Sequence, residues 1–132
     1  MGVSTDAILF YGIDFDESIM ENQTDEADDV FSEDPEGWLA KYLGCDAEDW
    51  KTRSLFLKAT AVELVKHCSV DFPMYALAIR GSVTRAYRGY PKQVAVESRD
   101  TGPWDELLAV ACDKLGLLPK ARPAWLLVSM WS

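Results

Sequence analysis

The chain has one histidine, His67, and three cysteines, Cys45, Cys68 and Cys112, with no C-x-x-C pair among them. An odd number of dispersed cysteines supports neither a disulfide framework nor a zinc ribbon. A zinc site would have to gather Cys45, His67, Cys68 and Cys112 from four separate places, and nothing in their spacing favours it. No G-x-G-x-x-G, Walker-type loop or G-x-S-x-G elbow occurs, so nucleotide-cofactor chemistry has no support and no cofactor is expected. No apolar run approaches the roughly 20 residues that span a bilayer, and Met1 to Asp6 lack the basic start of a signal peptide. The expectation is a cytoplasmic protein with no membrane partner.

Basic residues are missing from the first part of the chain. Residues 1–50 hold fifteen acidic side chains and Lys41 alone, whereas residues 51–132 hold seven acidic and twelve basic, and the two halves sum to the net charge of −9. Eleven of the acids fall between Asp14 and Glu36. Such segregation governs partners and association rates rather than fold.

What is present fits one ordinary domain over residues 1–132, with 48% apolar and 27% charged residues. Ala7 to Ile13 reads as a buried strand that leads into the acidic stretch. From Asp14 to Ser32 little apolar periodicity survives and carboxylates repel one another, which predicts a solvated acidic loop over 14–33. Asp34-Pro35 then opens a helix with Trp38, Leu39, Tyr42 and Leu43 on one face, stopped by Gly44. Asp46 is expected to cap a second helix with Trp50, Ser54, Leu57 and Ala61 inward. Val62 to Cys68 and Met74 to Ile79 read as strands, and Arg80-Gly81 as a tight turn into Ser82 to Tyr87, making a β-hairpin. Lys92 to Glu97 adds a short edge strand. A helix from about Pro103 to Leu115 and a final strand from Ala124 to Trp131, covered on both faces or central in the sheet, complete the chain. The expected fold is α+β: a mixed sheet of four to five strands packed by two to three helices.

Three groups of residues invite chemistry. Asp14-Phe15-Asp16-Glu17 follows a strand, where metal-dependent hydrolases place carboxylates, but the spacing departs from an EF-hand and no metal is assigned. His67-Cys68 contains the elements of a thiol dyad. Strand neighbours point to opposite faces, however, so the expectation is a buried Cys68 beside a surface or hydrogen-bonded His67, with no catalytic residue. Arg80, Arg85, Arg88 and Lys92, interleaved with Tyr87 and Tyr90, form a basic patch of the kind that tracks phosphates and stacks bases. A pI near 4.5 argues against direct nucleic-acid binding, and a patch that meets the chain's own acidic segment or faces a protein partner is preferred.

Met1 to Gly12, the run His67-Cys68-Ser69-Val70-Asp71-Phe72-Pro73-Met74-Tyr75 and the run Arg88-Gly89-Tyr90-Pro91-Lys92 together resemble a group of small proteins of tailed bacteriophages and prophages. The resemblance covers about half the chain and implies no reaction and no catalytic residues. It implies a setting, the cytoplasm of a bacterial host, and an early or accessory role. The acidic segment departs from the pattern of that group, which directs attention to it.

The leading expectation is therefore a non-enzymatic protein that binds a host or defence-system protein with a basic surface, as an anti-CRISPR-like inhibitor would, by imitating nucleic-acid charge. Its contact residues are expected to be Asp14, Asp16, Glu17, Glu21, Asp25, Glu26, Asp28 and Asp29. Two alternatives stand beside it. One is a metal-dependent hydrolase or nuclease using Asp14 and Asp16. The other is a self-assembling structural protein, a homo-oligomer in which the acidic segment of one copy meets the basic patch of the next.

Overall fold

The apolar run Ala7 to Ile13 lies at the centre of the first strand, β1 (Thr5–Asp14), and most other elements are arranged around it. The computed structural model describes residues 5–15, 23–94 and 101–131. Within them β1 is followed by α1 (Asp25–Glu33), α2 (Pro35–Leu43), α3 (Trp50–Ala59), β2 (Val62–Ser69), β3 (Pro73–Ile79), β4 (Thr84–Tyr87), α4 (Gly102–Leu115) and β5 (Ala124–Trp131). The fold is α+β with a five-stranded mixed sheet, as expected from the alternation of patterns, and it has four helices among the described residues where two to three were expected.

β5 lies antiparallel along one edge of β1, from Thr5 opposite Trp131 to Gly12 opposite Ala124. The other edge of β1 is shared: β3 takes its C-terminal end, with Gly12 opposite Ala78, and β4 takes its first half, with Leu9 opposite Thr84. β2 and β3 form an antiparallel hairpin, and the end of β2 touches the end of β5 in parallel through Cys68–Met130 and Ser69–Trp131. Pairing thus runs in a closed circuit, β1–β5–β2–β3–β1, and the sheet curls on itself.

The curl creates two cores. Ile8, Phe10, Val65, Ala76 and Ala78 pack together, edged among the described residues by Val83, Leu126, Val128 and Met130, all from strands and their connection. On the opposite face Tyr11, Ile13, Leu64 and Leu77 meet Trp38 and Leu39 of α2 and Leu108 and Leu115 of α4. Gly12 is what lets β1 and β3 approach: a methyl group there would run into the Leu77 carbonyl oxygen.

Several expectations are corrected. The acidic segment is not one loop: Asp14 ends β1, residues 25–33 are helical, and 16–22 lie outside the described residues. Thr24 caps α1 by accepting the Ala27 N–H, Asp25, Glu26 and Asp28 sit in its first turn at the positive helix end, and Ala27, Val30 and Phe31 supply an inward stripe. Asp49, not Asp46, caps α3, accepting from both the Thr52 N–H and its hydroxyl, which holds its carboxyl below the usual range. The expected inner face of α3 holds only in part: Leu57 packs against the core and Ser54 is half-buried, whereas Trp50 is 79% exposed and Ala61 is exposed beyond the end of the helix. Arg80-Gly81 does turn the chain, but β3 and β4 pair with β1 rather than with each other. Residues 91–94 are irregular where an edge strand was expected, and 95–97 lie outside the described residues. β5 is central, yet Leu127 and Trp131 stand exposed on one face.

Candidate functional site

Burial of Phe31 fixes which way α1 faces. Its ring packs edge-on against Trp38 at 5.0 Å and Tyr75 at 5.4 Å, and tilted against Phe15 at 6.0 Å. With that stripe turned inward, Asp25, Glu26, Asp28, Asp29 and Glu33 are all exposed on the outer surface of one ordered helix. Residues three and four apart on a helix stand about 5–6 Å from each other, so these five carboxylates form a dense negative strip. Of these five only Glu26 has an ion pair among the described residues, with Lys41 at 3.2 Å.

Of the eight expected contact residues the structure therefore brings four together: Asp25, Glu26, Asp28 and Asp29. Asp14 stands apart, its Oδ1 3.2 Å from Nε2 of His67. Asp16, Glu17 and Glu21 lie outside the described residues.

The basic patch is divided. Arg80 is turned into the protein, donating from Nε to the Thr60 carbonyl at 2.9 Å and from Nη2 to the Leu57 and Val62 carbonyls at 2.6 and 3.1 Å. Its Nη1 lies 3.4 Å from Glu63. The guanidinium thus ties the end of α3 to the start of β2 and is a structural group. Arg85 belongs to β4, while Arg88 and Lys92 follow it beside the exposed Tyr87 and Tyr90. Among the described residues no ion pair joins α1 to Arg80, Arg85 or Lys92.

Sequence reasoning missed a cavity of about 450 Å³ between the start of α2, α3 and the start of β2. Asp34, Glu36, Trp50, Arg53, Glu63 and Arg80 line it. Asp34 ends α1 and caps α2, accepting from the Gly37 N–H at 3.0 Å, so the acidic helix runs directly into the cavity wall. Glu36 is exposed as a whole residue, yet its carboxyl is pushed above the usual glutamate range, first by burial and then by Asp34 and Glu63, with Arg80 opposing. The one signal in the sequence is Trp50, a large aromatic at the start of α3, which the periodicity places on the inner face of that helix and the structure leaves exposed.

The remaining chemistry-bearing groups are placed differently from expectation. His67 is buried and Cys68 exposed, the reverse of the sequence-based assignment, because His67 turns toward Asp14 at the end of β1. Cys68 also carries a φ of +75°, rare for a residue with a side chain. Cys112 is buried in the core, and burial raises its thiol pKa to about 11, which leaves it protonated and unreactive at neutral pH. Among the described residues no group of three or more His, Cys, Asp or Glu side chains is placed to hold a metal, and no helix is long and apolar enough to cross a membrane.

Comparison with protein-family models, with curated proteins and with solved structures finds no match for the chain. What fold and surface define is a small α+β protein with an outward acidic helix joined to a charged, tryptophan-edged cavity.

Proposed function

We propose that this is a non-enzymatic accessory protein of a tailed phage or prophage that acts in the bacterial cytoplasm. It docks α1 on the basic surface of a host or defence protein, in the manner of an anti-CRISPR-like inhibitor. The observation that carries the reading is the strip of five exposed carboxylates, Asp25, Glu26, Asp28, Asp29 and Glu33, on one capped and core-anchored helix. A protein that reads nucleic acid does so largely through Lys and Arg placed against closely spaced phosphates. A rigid row of carboxylates at about 5–6 Å intervals offers such a surface comparable charge without the ordering cost that a loop would carry. Apart from Glu26, which pairs with Lys41, no carboxylate of the strip has an ion pair among the described residues, which supports a role toward a partner.

The test is a gel-shift assay with guide-loaded CRISPR effectors and restriction enzymes on their target DNA, with this protein as competitor. One effector is expected to lose DNA binding, with potency falling steeply as salt rises. The variant Asp25→Asn/Glu26→Gln/Asp28→Asn/Asp29→Asn, checked for retained helicity by circular dichroism, is expected to lose most of that potency. Undiminished inhibition by the quadruple variant would remove α1 from the mechanism.

A further inference from the structure

Each carboxylate and arginine at the cavity beside α1 can be assigned a partner except one. Asp34 is engaged by the Gly37 N–H at 3.0 Å and Arg53 at 3.7 Å, and Glu63 by Arg80 at 3.4 Å. Arg53 also donates from Nε to the Ala47 carbonyl at 2.9 Å, and Arg80 donates to three further carbonyls. Lys58 occupies the last turn of α3, where the helix's negative end favours it. Glu36 has no ion pair among the described residues. Trp50, an indole left 79% in solvent, lines the same cavity.

We propose that this cavity receives one basic side chain of the partner, an arginine in preference to a lysine, with Glu36 as its carboxylate acceptor and Trp50 as its aromatic face. The inference rests on the reading of a basic partner given above and names the chemistry by which that partner is anchored. A guanidinium is planar, weakly hydrated and able to stack on an indole while donating to a carboxylate; an ammonium does only the second well. Leu57 and Leu64 provide apolar wall for the aliphatic stem, and a volume of about 450 Å³ is in the range of small-ligand sites. Burial chiefly raises the Glu36 pKa, Asp34 adds to it and Arg80 opposes it; an arriving guanidinium favours the ionised form, so affinity increases as pH rises through that pKa. Because Asp34 belongs to both α1 and the cavity, a basic segment lying along the helix reaches the cavity without a break.

The experiment uses fluorescein-labelled hexa-arginine and hexa-lysine peptides, titrated by anisotropy at low salt against the full chain, Glu36→Gln, Trp50→Ala and the quadruple α1 variant. Wild type is expected to prefer hexa-arginine. Glu36→Gln and Trp50→Ala are each expected to weaken hexa-arginine by about twofold to fivefold, the scale of a cation–π contact or an exposed ion pair, and to erase the preference for arginine. The quadruple variant is expected to weaken both peptides alike and to keep that preference. If Glu36→Gln and Trp50→Ala bind hexa-arginine as wild type does, the cavity proposal is overturned while the role of α1 stands. If only the quadruple variant is without effect, the role of α1 fails and the cavity stands. Both cavity substitutions are at exposed positions, so the fold is expected to tolerate them, with circular dichroism as the check.

Discussion

Glu36 shows how one carboxyl is set by its surroundings rather than by its place in the sequence. It sits in the first turn of α2, where an acid is normally favoured, yet burial and the two neighbouring carboxyls raise its pKa. A carboxyl with a raised folded-state pKa holds its proton more tightly in the folded chain than in the unfolded one. Folding is then favoured as pH falls toward the ordinary glutamate range, and stability is lost as pH rises through the raised value. Glu36→Gln removes that dependence. It is expected to raise the melting temperature at pH 7–8 and to leave it unchanged near pH 4; a difference from wild type that is equal at both pH values would show that Glu36 is not the group responsible. Sequence reasoning placed Glu36 at a helix start and stopped there, because Glu63 and Arg80 come near it only through the packing of α2 on the sheet. His67 and Cys68 have the same history: alternation correctly set them on opposite faces, but which of them turns inward depends on Asp14, fifty-three positions earlier.

At the scale of elements the sequence was most legible where caps and periodicity agreed. α2, α4, β1 and β2 fall within a few residues of their expected spans, since Asp34-Pro35 and Pro103 start helices and Gly44 and Gly116 end them. α1 was missed for a physical reason: its inward stripe is only Ala27, Val30 and Phe31, too short to stand out against surrounding carboxylates whose repulsion argued for a loop. Burial of Phe31 among Phe15, Trp38 and Tyr75, a tertiary term, tips the balance. The helix therefore rests on its cap as well. Thr24→Ala is expected to cost about 1 kcal/mol, read as a lower denaturation midpoint, and to weaken partner binding by loosening the strip. The hairpin expected at Arg80-Gly81 failed because turn chemistry is local, whereas the choice of partner strand was made by the free edge of β1.

Across the whole molecule, the sheet circuit and its two cores were beyond sequence reasoning, since they depend on Gly12, Ala76 and Ala78 letting β1 and β3 close together. The fold class and the charge asymmetry were legible; the cavity was not. Stability is also distributed unevenly. β1 is paired along both edges and contributes to both cores, whereas α3 buries no residue fully and is fastened by its Asp49 cap at one end and by Arg80 at the other. Local opening free energies follow buried contacts and protected hydrogen bonds. Hydrogen–deuterium exchange is expected to find the amides of α3 exchanging well before those of β1, and Arg80→Ala to accelerate α3 selectively. Uniform exchange across the two elements would contradict this. The guanidinium of Arg80 thus joins two properties of the molecule: it holds the last turn of α3 through the Leu57 carbonyl and it lines the cavity that α3 helps to wall, so the shape of that cavity and the anchoring of the helix depend on the same group.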